Sequence, residues 1–237
     1  MVFHYKHTDI MTSSDKYNSR LEKVIRIWIF SVSFLSAFVN MTGALAFGYS
    51  LSHYSGNYTT IFEDFSHHSF QAALILIFLS ISFVLGSVIA SFVNADKDFR
   101  LESKYGEIQF VIGVCLLIIY LFFYKEDRII YFLSCALGAQ NGLIRSYRGM
   151  GFKTTHVTGT LTDLGTYIGY AIRGEKNVGW KITFELALLA AFGAGTILSV
   201  FLFSDFGDRL FVLAAIGYIL SGLIYLCLRS FYRGNNI

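Results

Sequence analysis

The sequence predicts an all-α polytopic membrane protein: six transmembrane helices arranged as two inverted three-helix repeats, each with a polar broken or re-entrant segment after its first helix. Three observations predict it. The chain is 54% hydrophobic and only 15% charged, with a mean hydropathy of +0.55, too apolar for an ordinary soluble domain. The apolar residues fall in continuous blocks, and a helix needs about 20 of them to cross a bilayer. A polar motif recurs once in each half of the chain.

Residues 1–23 read as a polar cytoplasmic leader, followed by the first apolar block, 24–47. A cleaved signal peptide is the poorer reading, because that block outruns the usual apolar stretch of roughly 7–15 residues. The second and third blocks, 70–93 and 108–124, complete a first repeat over 24–124. The fourth, 129–144, is the shortest, and its end carries Gln140, Asn141 and Arg145. Polar groups at such an end usually face protein or a wet cavity. Blocks 182–203 and 210–228 complete a second repeat over 125–230, leaving a cytoplasmic tail at 231–237.

Basic residues orient the helices, since Lys and Arg are retained on the cytoplasmic side. With the N-terminus inside, the cytoplasmic segments hold sixteen of the nineteen Lys and Arg residues; only Lys125, Arg128 and Arg209 fall outside. That predicts an inner-membrane protein with both termini cytoplasmic. The pI of 8.7 then reflects anchoring, with lipid as the partner and no nucleic acid, because no basic module interleaved with aromatics is present.

The repeat is legible in His53-Tyr54-Ser55-Gly56-Asn57-Tyr58-Thr59-Thr60-Ile61, which matches His156-Val157-Thr158-Gly159-Thr160-Leu161-Thr162-Asp163-Leu164. The flanks extend the match: Asn40 stands near the place that Asn141 holds, and Gly86-Ser87 resembles Gly195-Thr196. Three crossings per half invert the second half relative to the first. Ser55 and Thr158 are expected as helix N-caps, with Thr160 and Asp163 spaced as a capping box. A half-helix start exposes unpaired N–H groups and the positive end of a dipole, suiting an anion or a polar solute.

At these residues the chain resembles the YoaK-type family of bacterial membrane proteins, which carry a domain of unknown function. The resemblance rests on Leu51-Ser52-His53-Tyr54-Ser55-Gly56-Asn57, on Ala139-Gln140-Asn141-Gly142, and on the segment from Thr154 to Leu164. It implies a multi-pass fold and brings no substrate. Two departures are Tyr54-Ser55 where Met-Thr is expected, and Asn40 where an acidic residue is expected in the first helix.

The expected substrate-binding set is Asn40, His53, Ser55, Gly56, Asn57, Thr59, Gln140, Asn141, His156, Thr158, Gly159, Thr160, Thr162 and Asp163. The function expected from it is transport of a small polar or anionic solute. No catalytic residue, metal ligand or cofactor is expected: the chain has no nucleophile elbow, phosphate loop or dinucleotide fingerprint. The alternative is a non-transporting membrane protein, acting on lipid-linked substrates or serving as a partner in a complex. Glu185 reads equally as an intramembrane functional carboxylate or as an interfacial one. Arg145 and Arg148 read as headgroup contacts at the cytoplasmic end of the fourth helix, with an anionic substrate as the alternative, and Cys115, Cys135 and Cys227 read as buried thiols. Small-residue runs such as Gly193-Ala194-Gly195 allow close packing within a chain or in a homo-oligomer.

Overall fold

The computed structural model describes residues 13–94, 99, 101–123, 126–144 and 146–234. Among them are eight α-helices: α1 (Ser13–Phe47), α2 (Tyr54–Ser66), α3 (Phe70–Val93), α4 (Lys104–Phe123), α5 (Ile129–Leu143), α6 (Val157–Ile172), α7 (Gly179–Phe206) and α8 (Leu210–Gly234). A two-residue ribbon, β1 (Ser146–Tyr147) with β2 (Met150–Gly151), links α5 to α6.

Unbroken runs of Leu, Ile, Phe and Ala make the long helices, and breaks fall where the apolar run stops. Four stretches are long and apolar enough to cross a membrane: Arg20–Phe47, Phe70–Val93, Lys104–Phe123 and Gly179–Arg233. The short 3-10 turn Gly207–Arg209 divides the last into α7 and α8, with Gly207 at φ 55, a conformation that favours glycine. Three helices are shorter. At roughly 1.5 Å per residue, the 13 residues of α2, the 15 of α5 and the 16 of α6 give lengths of about 20, 22 and 24 Å, against a hydrocarbon core of ~30 Å.

Large apolar side chains stand outward on the long helices, including Phe92, Phe122 and Phe201 at 89%, 77% and 73% exposure. Lipid is the solvent that such a surface requires. The chain is a helical membrane protein.

Helix α1 begins at Ser13, within the segment read as a polar leader, and α8 runs to Gly234, within the segment read as a tail. Charged residues at 15–26 can extend a helix beyond the bilayer because propensity there does not depend on burial. The expectation of buried thiols is corrected: Cys115 and Cys135 are half-buried and Cys227 is exposed, since an outward thiol meets lipid at little cost. Residues 1–12 and 235–237, with Lys97, Arg100, Lys125 and Arg145, lie outside the described residues.

The helices pack in pairs: α1 on α7, α3 on α5, and α4 on α8, with α2 leaning on α3 and α6 on α7. Glycine permits the closest approaches. A Cβ at Gly86 would overlap the Cys135 carbonyl of α5, and one at Gly195 would overlap the Phe34 carbonyl of α1. Lipid offers no hydrophobic drive between helices, so such contacts gain their stability from dispersion at short range.

Candidate functional site

The site begins with two asparagines. Asn40 in α1 is buried, and its Oδ1 accepts from the backbone N–H of Leu51 at 2.9 Å and of Ser52 at 3.0 Å, and from Ser50 Oγ at 3.3 Å. Those bonds pull the chain back beside α1 after it ends at Phe47, so α2 starts alongside a helix and not beyond its end. Asn57 holds the same turn, donating its Nδ2 to the Ser50 carbonyl at 2.9 Å.

Asn141 in α5 does the matching work in the second half. Its Oδ1 accepts from Thr154 Oγ1 at 2.9 Å, and its Nδ2 donates to Thr155 Oγ1. Gln140, 1% exposed, extends this network. Its Nε2 donates to the Val32 carbonyl of α1 at 2.9 Å and to Thr154 Oγ1 at 3.0 Å, while Tyr218 of α8 donates to its Oε1. A polar group buried to this degree costs free energy unless it is bonded, and here both ends of the amide are.

These clamps bring the starts of α2 and α6 to one cavity of about 940 Å³. It is lined by Ser52, His53, Tyr54, Ser55 and Gly56 from the first half and by Lys153, Thr155, His156, Val157 and Thr158 from the second. Its walls are Phe83, Ser87 and Ser91 of α3, Asn141 and Gly142 of α5, and Leu189, Phe192 and Gly193 of α7.

The caps differ from expectation. His53 and His156 take the N-cap positions, with φ −101, ψ 72 and φ −96, ψ 69, and neither side chain bonds its own helix start. Ser55 and Thr158 fall in the first turn, and Thr160 with Asp163 lies deeper in α6, too far along to form a capping box. The asparagine clamps set the turn, so a hydroxyl cap is not needed to start the helix.

His53 belongs to the connection before α2 and not to a spanning helix. Burial, and secondly the nearby His156, hold its imidazole below the ordinary histidine range. Its ring lies 5.5 Å from that of Phe192.

Of the expected set, His53, Ser55, Gly56, Asn141, His156 and Thr158 line the cavity. Asn40, Asn57 and Gln140 stand behind it as clamps. Gly159 packs on its own cap, where a Cβ would meet His156 Nδ1 at 2.6 Å. Thr59 and Thr162 donate to carbonyls four residues earlier, at 3.4 and 3.0 Å, which occupies their hydroxyls within the helix. Thr160 is buried beside a much smaller void, and Asp163 does not reach the cavity.

Sequence reasoning missed Ser52, Tyr54, Lys153, Thr155, Val157 and every wall residue except Asn141. Of these, Ser52, Lys153 and Thr155 flank the repeated histidines, a signal that could have found them. Arg148 is held at the surface, 3.3 Å from Glu22 and 4.9 Å from the Trp180 ring centre. Glu185 is fully buried in α7, off the cavity.

A family model described as a protein of unknown function, DUF1275, matches residues 28–224, from within α1 to within α8. The chain belongs to the DUF1275 family. The match takes in both histidine motifs and every residue lining the cavity, and the YoaK-type resemblance fits it. No curated protein and no solved structure matches the chain.

Proposed function

We propose that this DUF1275 protein is a small-solute transporter or permease of six crossings, with its binding site in the cavity where the two halves meet. The observation that carries the reading is the correspondence of the halves around that cavity. If α1 to α4 correspond to α5 to α8, the packing of α1 on α7 is matched by that of α5 on α3, and α2 on α3 by α6 on α7. Gly195 against α1 is matched by Gly86 against α5. Phe83 and Phe192, three residues before those glycines, both face the cavity. An odd number of crossings per half makes the repeats inverted, and inverted repeats that share a polar site at their interface support alternating access.

The basic residues orient this assembly in the inner membrane with both termini cytoplasmic. The lining runs to Ser91, close to the end of α3 at Val93, and to Lys153. It extends towards the basic face, as a cytoplasm-facing state would.

The test needs no known substrate. Gly193 opens on the cavity, and a Cβ there meets nothing within 4 Å. In a background with Cys115, Cys135 and Cys227 replaced by Ala, Gly193→Cys is expected to react with a membrane-impermeant thiol reagent in vesicles of both orientations. Labelling from one face only would mean a fixed pocket and would overturn transport.

A further inference from the structure

We infer that the ligand of this cavity is an organic anion, with its carboxylate or phosphate held between the starts of α2 and α6 and its apolar body against Phe83 and Phe192. The inference deepens the transport reading by naming the substrate class, and it rests on that reading for the cavity being a ligand site.

Three observations converge on it. Both helix starts face the cavity, neither is capped by its histidine, and neither carries an acidic residue in its first turn. Their first N–H groups and positive dipole ends are therefore not neutralised by the protein's own side chains. Ser52, on the cavity wall beside the start of α2, is 8% exposed, and its Oγ has no hydrogen-bond partner among the described residues. The buried Nε2 of His53 likewise has none. Such groups are costly to leave unbonded and mark a place where a ligand atom completes the network.

Charge and shape decide the class. Lys153 lines the cavity, and no Asp or Glu does among the described residues. A cationic ligand would meet two positive helix ends. An anion meets donors on several sides. Phe83, Phe192, Tyr54 and Leu189 supply an apolar wall that a bare inorganic ion would leave unused.

The experiment is a thermal-unfolding titration of the full chain in phosphatidylcholine nanodiscs, at constant ionic strength. Its probes are benzoate, phenylphosphate, benzamide, benzylamine and acetate. A ligand of the folded state raises the apparent Tm along a saturating curve. Benzoate or phenylphosphate is expected to saturate, acetate to need higher concentration, and benzamide and benzylamine to give nothing. Ser52→Ala and Lys153→Gln should each weaken the midpoint about tenfold, as loss of one bond to a charged group does. Gly193→Trp should remove the response.

Saturation by benzamide or benzylamine instead of the anions would overturn the inference. So would anion effects that never saturate or that survive unchanged in Lys153→Gln. Adding phosphatidylglycerol separates two sources of the same chemistry: stabilisation by that lipid together with loss of the benzoate response assigns the anionic head to a lipid, and an undiminished response assigns it to a soluble solute. The thiol-labelling result stands apart. Two-sided labelling without anion binding discards only the substrate class, and anion binding with one-sided labelling discards only transport.

Discussion

At the scale of single residues, the side chains that matter most are those that never touch the cavity. Every hydrogen bond described for Asn40 goes to its Oδ1, from two backbone amides and a hydroxyl. An aspartate can fill that role, because a carboxylate that accepts several N–H bonds tolerates burial. This gives a physical sense to the acidic residue that the family resemblance implies at this position: it holds the turn before α2, and an amide oxygen holds it here. Replacing Asn40 with Ala would strand the N–H groups of Leu51 and Ser52, both buried. At roughly 1–3 kcal/mol for each buried donor left unbonded, Asn40→Ala is expected to lower stability by about 2–4 kcal/mol and to depress thermal unfolding in detergent by several degrees. Asn40→Asp should stay close to the parent. Equal losses from both substitutions would mean that the amide nitrogen, and not the oxygen, does the holding.

At the scale of elements, close approach between helices is set by a few glycines whose neighbours are backbone atoms that cannot step aside. Gly195 faces the Phe34 carbonyl across α1 and α7, whereas Gly193, two residues earlier on the same helix, has open space where a Cβ would stand. Gly195→Ala is therefore expected to destabilise the fold by about 1–3 kcal/mol or more through overpacking, and Gly193→Ala to be nearly neutral. Thermal unfolding of the two variants side by side checks this, and a neutral Gly195→Ala would mean that α1 and α7 separate more easily than the close contact implies. The same contrast explains what the sequence could reveal. The apolar block 70–93 coincides with α3, and 129–144 ends within one residue of α5, because lipid demands continuous apolar runs that are visible without any partner. The helix starts were misplaced by two residues because hydroxyls are the usual caps, while here bonds from Asn40 and Asn141, more than ten residues away in the chain, fix the turns. Asn40, Asn57 and Gln140 of the expected site lie behind the cavity for the same reason: a repeated motif marks positions that the fold needs twice, and clamps qualify as readily as ligand contacts.

At the scale of the whole molecule, the proposed inverted repeat makes a demand on topology that no single helix can meet. If the halves correspond and are inverted, the connection from α2 to α3, at His67 to Ser69, and the connection from α6 to α7, at Arg173 to Val178, lie on opposite faces of the membrane. Charge agrees with this, since Glu63 and Asp64 stand near the first connection and Arg173, Lys176 and Lys181 surround the second. Short epitope insertions at His68 and at Asn177, both exposed turn positions with positive φ, are expected to be read by antibody from opposite sides: the first on intact spheroplasts, the second only after permeabilisation. A fluorescent protein fused after the C-terminus should fluoresce, as a cytoplasmic terminus requires. Detection of both insertions on the same side would make the repeats parallel. The two helix starts would then no longer be related by an axis in the membrane plane, and rocking of one half on the other could not expose the cavity to each face in turn.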